Sequence, residues 1–147
     1  MAITGKKGKQ IGILTGGGDA PGLNAVIRGI VHKAKALGYD VLGFLNGWDG
    51  LLGACKHCTL DLDKVEDIHM LGGTILHTSR TNPYKVKNGP QQVKNNLKKL
   101  KVDCLVAIGG EDTLGVANKL NKDGVKVIGV PKTIDNDVSE TDYCFGY

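Results

Sequence analysis

The sequence predicts an α/β fold, a parallel sheet with helices on both faces. Short β-branched apolar runs alternate with stretches of helical periodicity at steps of about twenty residues, the pattern of strands joined by crossover helices. Glycine closes several of the helical stretches. Three of the apolar runs end in polar, glycine- or acid-bearing loops, and open parallel sheets hold their ligands beyond the carboxyl ends of the strands.

"QIGILT" (10–15) reads as a buried strand that gives way to glycines. In "GLNAVIRGIVHKAKALG" (22–38) Leu23, Val26, Ile27, Ile30 and Ala34 recur at helical spacing, and Gly38 suits the C-terminus. "YDVLGFL" (39–45) is a strand, "NGWDGLLG" (46–53) a loop, "LDKVEDIHMLGG" (62–73) a short helix and "GPQQVKNNLKKLK" (89–101) a longer one. "DCLVAIGG" (103–110) and "VKVIGVP" (125–131) are two more strands, bracketing a helix from about Thr113 to Lys122. Connections of this kind bring "TGGGDAPG", "GGEDT" and "PKTIDND" to one edge of the sheet.

At 147 residues and 41% hydrophobic content the chain suffices for one domain with a core. Lys and Arg outnumber Asp and Glu by 19 to 15, and the net charge of +4 is scattered rather than gathered in a run. That suits an anionic small molecule as well as a polyanion, and the basic residues of "NNLKKLKVD" read as a solvated helix face. Cys55 and Cys58 form a C-x-x-C, but no second pair follows and Cys104 lies in an apolar run. Free thiols in a reducing compartment are therefore expected over zinc or redox chemistry. The N-terminus lacks the apolar stretch of a leader, and no apolar run approaches the ~20 residues of a membrane span. A cytoplasmic protein is expected, with a basic N-terminal extension at 1–9, a domain at 10–147, and neither membrane nor nucleic acid as partner.

The loops carry the chemistry. In "TGGGDAPGLN" (15–24) glycines let the backbone approach a phosphate and the following helix offers free N–H groups, although glycines at such a turn also serve structure alone. The stretch is neither a Walker A loop nor G-x-G-x-x-G. "GGEDT" (109–113) repeats the arrangement with acids added. Asp112 or Thr113 could cap the helix, and Glu111 is a candidate ligand, direct or through water, for Mg²⁺ accompanying phosphates. In "PKTIDND" (131–137) Thr133, Asp135 and Asp137 alternate so that they can face one way, which suits a general base that takes a proton from an attacking alcohol, beside a second acid. Arg80, among the small polar residues of "LGGTILHTSRTNP" (71–83), is either solvated or set against a transferring phosphoryl group.

Taken in order, "GGDAPGLNAVIRG" (17–29), "NGWDGL" (46–51), "GGTILHTSR" (72–80), "IGGEDT" (108–113), "PKTIDND" (131–137) and "TDYCFG" (141–146) resemble the phosphofructokinase family over residues 10–147. The resemblance implies a Rossmann-like N-terminal domain, and transfer of a phosphoryl group to the 1-hydroxyl of fructose 6-phosphate with Mg²⁺. It implies that Gly17 and Gly18, with Gly110 and Thr113 beside them, receive the donor phosphates, and that Glu111 takes the Mg²⁺ position. Asp135 would be the base, Thr133 and Ile134 its substrate-contacting neighbours, Asp137 a supporting acid, and Arg80 the stabiliser of the phosphoryl in transit.

Where ATP-using members usually have glycine, this chain has Asp112 and Lys132, which resembles the pyrophosphate-dependent or mixed-substrate branch. A carboxylate ~4 Å from an ATP α-phosphate would cost about 4 kcal/mol at an effective dielectric of ~20, roughly a thousandfold in affinity. Pyrophosphate ends before that point, and Lys132 can pair with its terminal charge. Glu111 stands where many members have Asp, and Trp48 where many have tyrosine. Arg28 matches an effector-binding arginine of bacterial ATP enzymes, but His32 follows it and the stretch near Ala54 and Cys55 lacks the family's arginine, so that control is not expected.

The resemblance further implies that the family's domain is incomplete here. The chain stops at Tyr147, short of the segments that supply most fructose 6-phosphate contacts, so it should lack turnover alone, and a homo-oligomer is expected of the whole. The rival readings are the same kinase using ATP, a kinase of the "GGDGT" type acting on NAD or diacylglycerol, and a non-catalytic module that holds polyphosphate.

Overall fold

The computed structural model describes residues 8–147; most of the expected extension at 1–9 lies outside the described residues. The chain runs β1 (Gln10–Thr15), α1 (Leu23–Ala36), β2 (Asp40–Phe44), β3 (His57–Leu60), α2 (Leu62–Val65), α3 (Gly89–Lys99), β4 (Cys104–Gly109), α4 (Glu111–Lys122) and β5 (Val127–Pro131). The sheet order is β3-β2-β1-β4-β5. Four strands are parallel, and β3 alone runs antiparallel, against β2.

Strand alternation divides the core in two. Ile13 of β1 and Val106 and Ile108 of β4 face the side covered by Leu23, Ile27 and Val31 of α1 and Val65 of α2. Their neighbours Leu14, Leu105 and Ala107 face the side covered by Val93 and Leu97 of α3 and Val116 and Leu120 of α4. Helices thus cover both faces, and each fully buried Leu or Ile contributes roughly 1.5–3 kcal/mol. Leu23, Ile27, Val31 and Ala34 form the apolar stripe of α1, with Lys33 and Lys35 in its last turn where they complement the carbonyl end.

The structure corrects one expectation and adds detail at two further segments. Residues 57–60 form an edge strand that the apolar pattern hid, since only Leu60 among them is fully buried and edge strands tolerate polar side chains. The helix expected over 62–73 is one turn, α2, capped by Asp61, whose carboxylate accepts from the Lys64 N–H at 2.9 Å; a separate 3₁₀ turn follows at Ile68–Met70. The loop at 46–53 contains a 3₁₀ turn, Gly47–Leu51, that buries Trp48 and Leu51 beneath the α3–α4 face.

The C-x-x-C pair is divided by the sheet. Cys58 packs with the α1 core and Cys55 with the α3–α4 core, and burial pushes the Cys55 and Cys104 thiols up, away from the reactive thiolate. All four cysteines are free. Among the described residues no helix is long and apolar enough to cross a membrane.

Candidate phosphate-binding site

Register sets the site. Thr15 pairs with Ile108 and Gly109 with Pro131, so β1, β4 and β5 end side by side and their loops open on one edge. The Gly16 N–H donates to Ile108 O at 2.8 Å, and the Lys132 N–H to Gly109 O at 3.0 Å. Gly17 then turns with φ +81°, which glycine takes without strain. Thr113, 4% exposed, fills the space between the first two loops: a Cβ on Gly16 or Gly109 would lie 2.3 or 2.6 Å from it. Glycine at both positions lets the N-terminus of α4 close against β1.

That helix starts at Glu111, two residues earlier than expected, with Gly110 as an N-cap that makes no side-chain hydrogen bond. Neither Asp112 nor Thr113 caps it. Glu111 and Asp112 therefore stand exposed in the first turn, beside backbone N–H groups that are open to an anion.

A cavity of about 400 Å³ opens between these loops. It is lined by Gly17, Gly18, Gly110 and Lys132 of the strand-end loops, by Glu111, Asp112, Thr113 and Val116 of α4, and by Arg80, Thr81, Asn82 and Lys85. Ser79 and Trp48 complete it. Lys132 is only 6% exposed, and its ammonium donates to the carbonyl of Gly18. Burial pushes its pKa below the ordinary lysine value, and Asp19 partly opposes this. Trp48 is 2% exposed, and its indole Nε1 is buried without a hydrogen-bond partner among the described residues.

The Asp135 loop lies next to this cavity without lining it. Thr133 Oγ1 donates to Asp137 Oδ1 at 2.7 Å and accepts from the Asp135 N–H at 3.1 Å. Asn136, at φ +51°, accepts from the Cys144 N–H and donates to Asp142 O, both at 3.1 Å. Lys132 and Phe145 form a parallel bridge, and the Phe145 ring covers Gly22. "TDYCFG" therefore braces "PKTIDND" against the glycine loop and leaves Asp135 and Ile134 exposed. Arg28, matched to an effector position, is engaged locally: its Nε donates to Glu66 O at 2.9 Å.

The cavity brings together Gly17, Gly18, Arg80, Gly110, Glu111, Asp112, Thr113 and Lys132 as the sequence suggests, and leaves Thr133, Ile134 and Asp135 on the adjoining loop. Lys85 carries no sequence signal; the 3₁₀ turn Pro83–Lys85 delivers it to the rim.

The phosphofructokinase family model matches residues 10–147. The chain belongs to the phosphofructokinase family. It is 58% identical over 139 residues to a pyrophosphate–fructose 6-phosphate 1-phosphotransferase of Amycolatopsis mediterranei, a match covering 94% of this chain and 40% of that protein. It is 48% identical to ATP-dependent 6-phosphofructokinase 3 of Streptomyces coelicolor, with the same coverage of each. The chain thus spans about two fifths of the length of these curated relatives. A solved phosphofructokinase from Pichia pastoris, in the T-state, superposes with a TM-score of 0.90 at 28% identity, over 99% of this chain and 17% of that one.

Proposed function

We propose that this chain forms the phosphoryl-donor side of a fructose 6-phosphate 1-kinase that takes pyrophosphate in preference to ATP. The observation that carries the reading is that one cavity is lined both by Lys132, buried with its ammonium on Gly18 O, and by Asp112 in the first turn of α4. In an all-glycine version of these positions a nucleotide would meet neither charge. Arg80, Lys85 and Lys132 offer positive charge to a diphosphate, together with the backbone of Gly17, Gly18 and Gly110.

Glu111 fits Mg²⁺, which is commonly held by one or two carboxylates plus substrate phosphates. Among the described residues no cluster of three or more His, Cys, Asp or Glu is placed to hold a metal by itself. A bound Mg²⁺ would screen the phosphate charge. Asp135 accepts the proton of the sugar 1-hydroxyl, Thr133 and Ile134 contact that sugar, and Asp137 fixes Thr133. Arg80 stabilises the charge on the phosphoryl group in transit. Homo-oligomeric assembly in the cytoplasm is part of the same proposal.

The test is fructose 6-phosphate phosphorylation with pyrophosphate and then with ATP, on this chain and on any longer product of its reading frame. A strong pyrophosphate preference in the longer product supports the reading. Equal or better use of ATP, the activity named for the Streptomyces relative, sinks it.

A further inference from the structure

Two buried polar side chains flank the glycine loop and take no part in the chemistry above. Thr15 closes β1 and is 0% exposed; Asn24 lies in the first turn of α1 and is 2% exposed. Both grip the same segment. Asn24 Nδ2 donates to Leu71 O at 3.1 Å, and its Oδ1 accepts from the Ile75 N–H at 2.9 Å. Thr15 Oγ1 donates to His77 O at 2.9 Å. Having spent its one proton there, it accepts from Thr74 Oγ1, also at 2.9 Å, and Thr74 Oγ1 in turn accepts from the Leu76 N–H at 3.2 Å. The chain of contacts runs on: the Asn46 N–H donates to Leu76 O at 2.8 Å, and Ser79 Oγ to Asn46 O at 2.6 Å.

The next residue is Arg80. Its side chain is exposed and makes no ion pair among the described residues, so its place on the cavity wall is fixed by the backbone that carries it. Valine at 15 or leucine at 24 would supply comparable volume, so packing alone does not require the hydroxyl and the amide. Their specific contribution is a fixed distance between the glycine loop and the segment that ends in Arg80.

We propose that Thr15 and Asn24 are positioning residues that hold Arg80 in register with the glycine loop, an inference that rests on reading the cavity as the phosphoryl-donor site. Small displacements of a group that meets a reacting phosphate are expensive, so the hold should register in donor affinity.

The experiment is a double-mutant cycle on the 147-residue chain, titrated with inorganic pyrophosphate and Mg²⁺ by calorimetry. Thr15→Val should weaken binding about tenfold, and Thr15→Ser should return it to within about twofold of the parent. In an Arg80→Gln background Thr15→Val should cost nothing further, whereas a purely structural role would weaken both backgrounds alike. Equal losses in the two backgrounds, or no loss in either, overturn the proposal. Asn24→Ala passes through the same cycle should Thr15→Val fail to fold. Hydrogen exchange adds a readout independent of ligand: in Asn24→Ala the amides of 74–81 should lose protection while those of β1 keep theirs. Absence of pyrophosphate binding by the parent chain defeats the donor-site reading, and with it the assignment to Arg80. Unchanged exchange over 74–81 defeats the hold itself.

Discussion

The ammonium of Lys132 donates a hydrogen bond to the carbonyl of Gly18, joining the end of β5 to the glycine loop after β1. A cation buried there is costly to the fold and useful to an anion. Lys132→Met should therefore keep or raise the melting temperature at neutral pH, since buried charges are often replaced by apolar groups without loss, while pyrophosphate affinity falls at least tenfold. The sign of the pH dependence follows from burial, which lowers the folded-state pKa. Between that lowered value and the ordinary lysine value the unfolded chain binds more protons, so stability rises with pH in that window. Denaturant melts across alkaline pH check this, and Lys132→Met should flatten the rise.

Asp112 stands exposed in the first turn of α4, and this changes the magnitude expected from sequence. Solvent screening brings a charge pair at ~4 Å down to about 1 kcal/mol, so the thousandfold penalty shrinks to roughly fivefold to tenfold. Asp112→Gly should raise ATP affinity by that factor and leave pyrophosphate affinity within about threefold. Parallel titrations with both donors measure it, and an unchanged ratio would remove Asp112 from donor selection.

Tyr84 follows the Arg80 wall, and its hydroxyl donates to Asp123 Oδ2 at 2.9 Å, at the C-cap of α4, with Lys119 5.2 Å over its ring. Burial, with the Asp123 hydrogen bond and charge, pushes the phenol up to about 12. The folded chain then holds the proton longer than the unfolded chain, so this contribution is complete below the unfolded tyrosine value and fades as pH rises toward 12. Tyr84→Phe should cost roughly 0.5–1.5 kcal/mol at neutral pH and lose that alkaline decline, measurable by urea melts at pH 8 and above pH 11.

Asp135 lies outside the cavity proposed to take the phosphoryl donor, so its replacement should separate binding from transfer. Asp135→Ser should leave pyrophosphate affinity within about twofold and lower phosphoryl transfer in an active longer product by orders of magnitude. Comparable losses in both would place Asp135 in donor binding instead.

Much of this architecture was legible because the apolar periods of 10–15, 22–38, 103–110 and 125–131 are dictated by the two core faces that Ile13 and Leu14, or Leu105 and Val106, supply alternately. Strand β3 was not legible: four residues with one fully buried leave no period to read. The glycines and acids of the site announced themselves as residues without value to a core. Thr15, Asn24 and Ser79 did not, since a hydroxyl or amide away from solvent becomes meaningful only when the segment it grips, roughly thirty to sixty residues away, is folded over it. Lys85 reaches the cavity through a single 3₁₀ turn that no local pattern specified.

The most direct measurement is calorimetric titration of the chain with pyrophosphate and with ATP, each with Mg²⁺, alongside Lys132→Met. The account predicts that pyrophosphate binds more tightly than ATP and that the substitution reduces this preference, leaving the part that Asp112 contributes. ATP binding as tightly as pyrophosphate, or a preference untouched by the loss of Lys132, would contradict it.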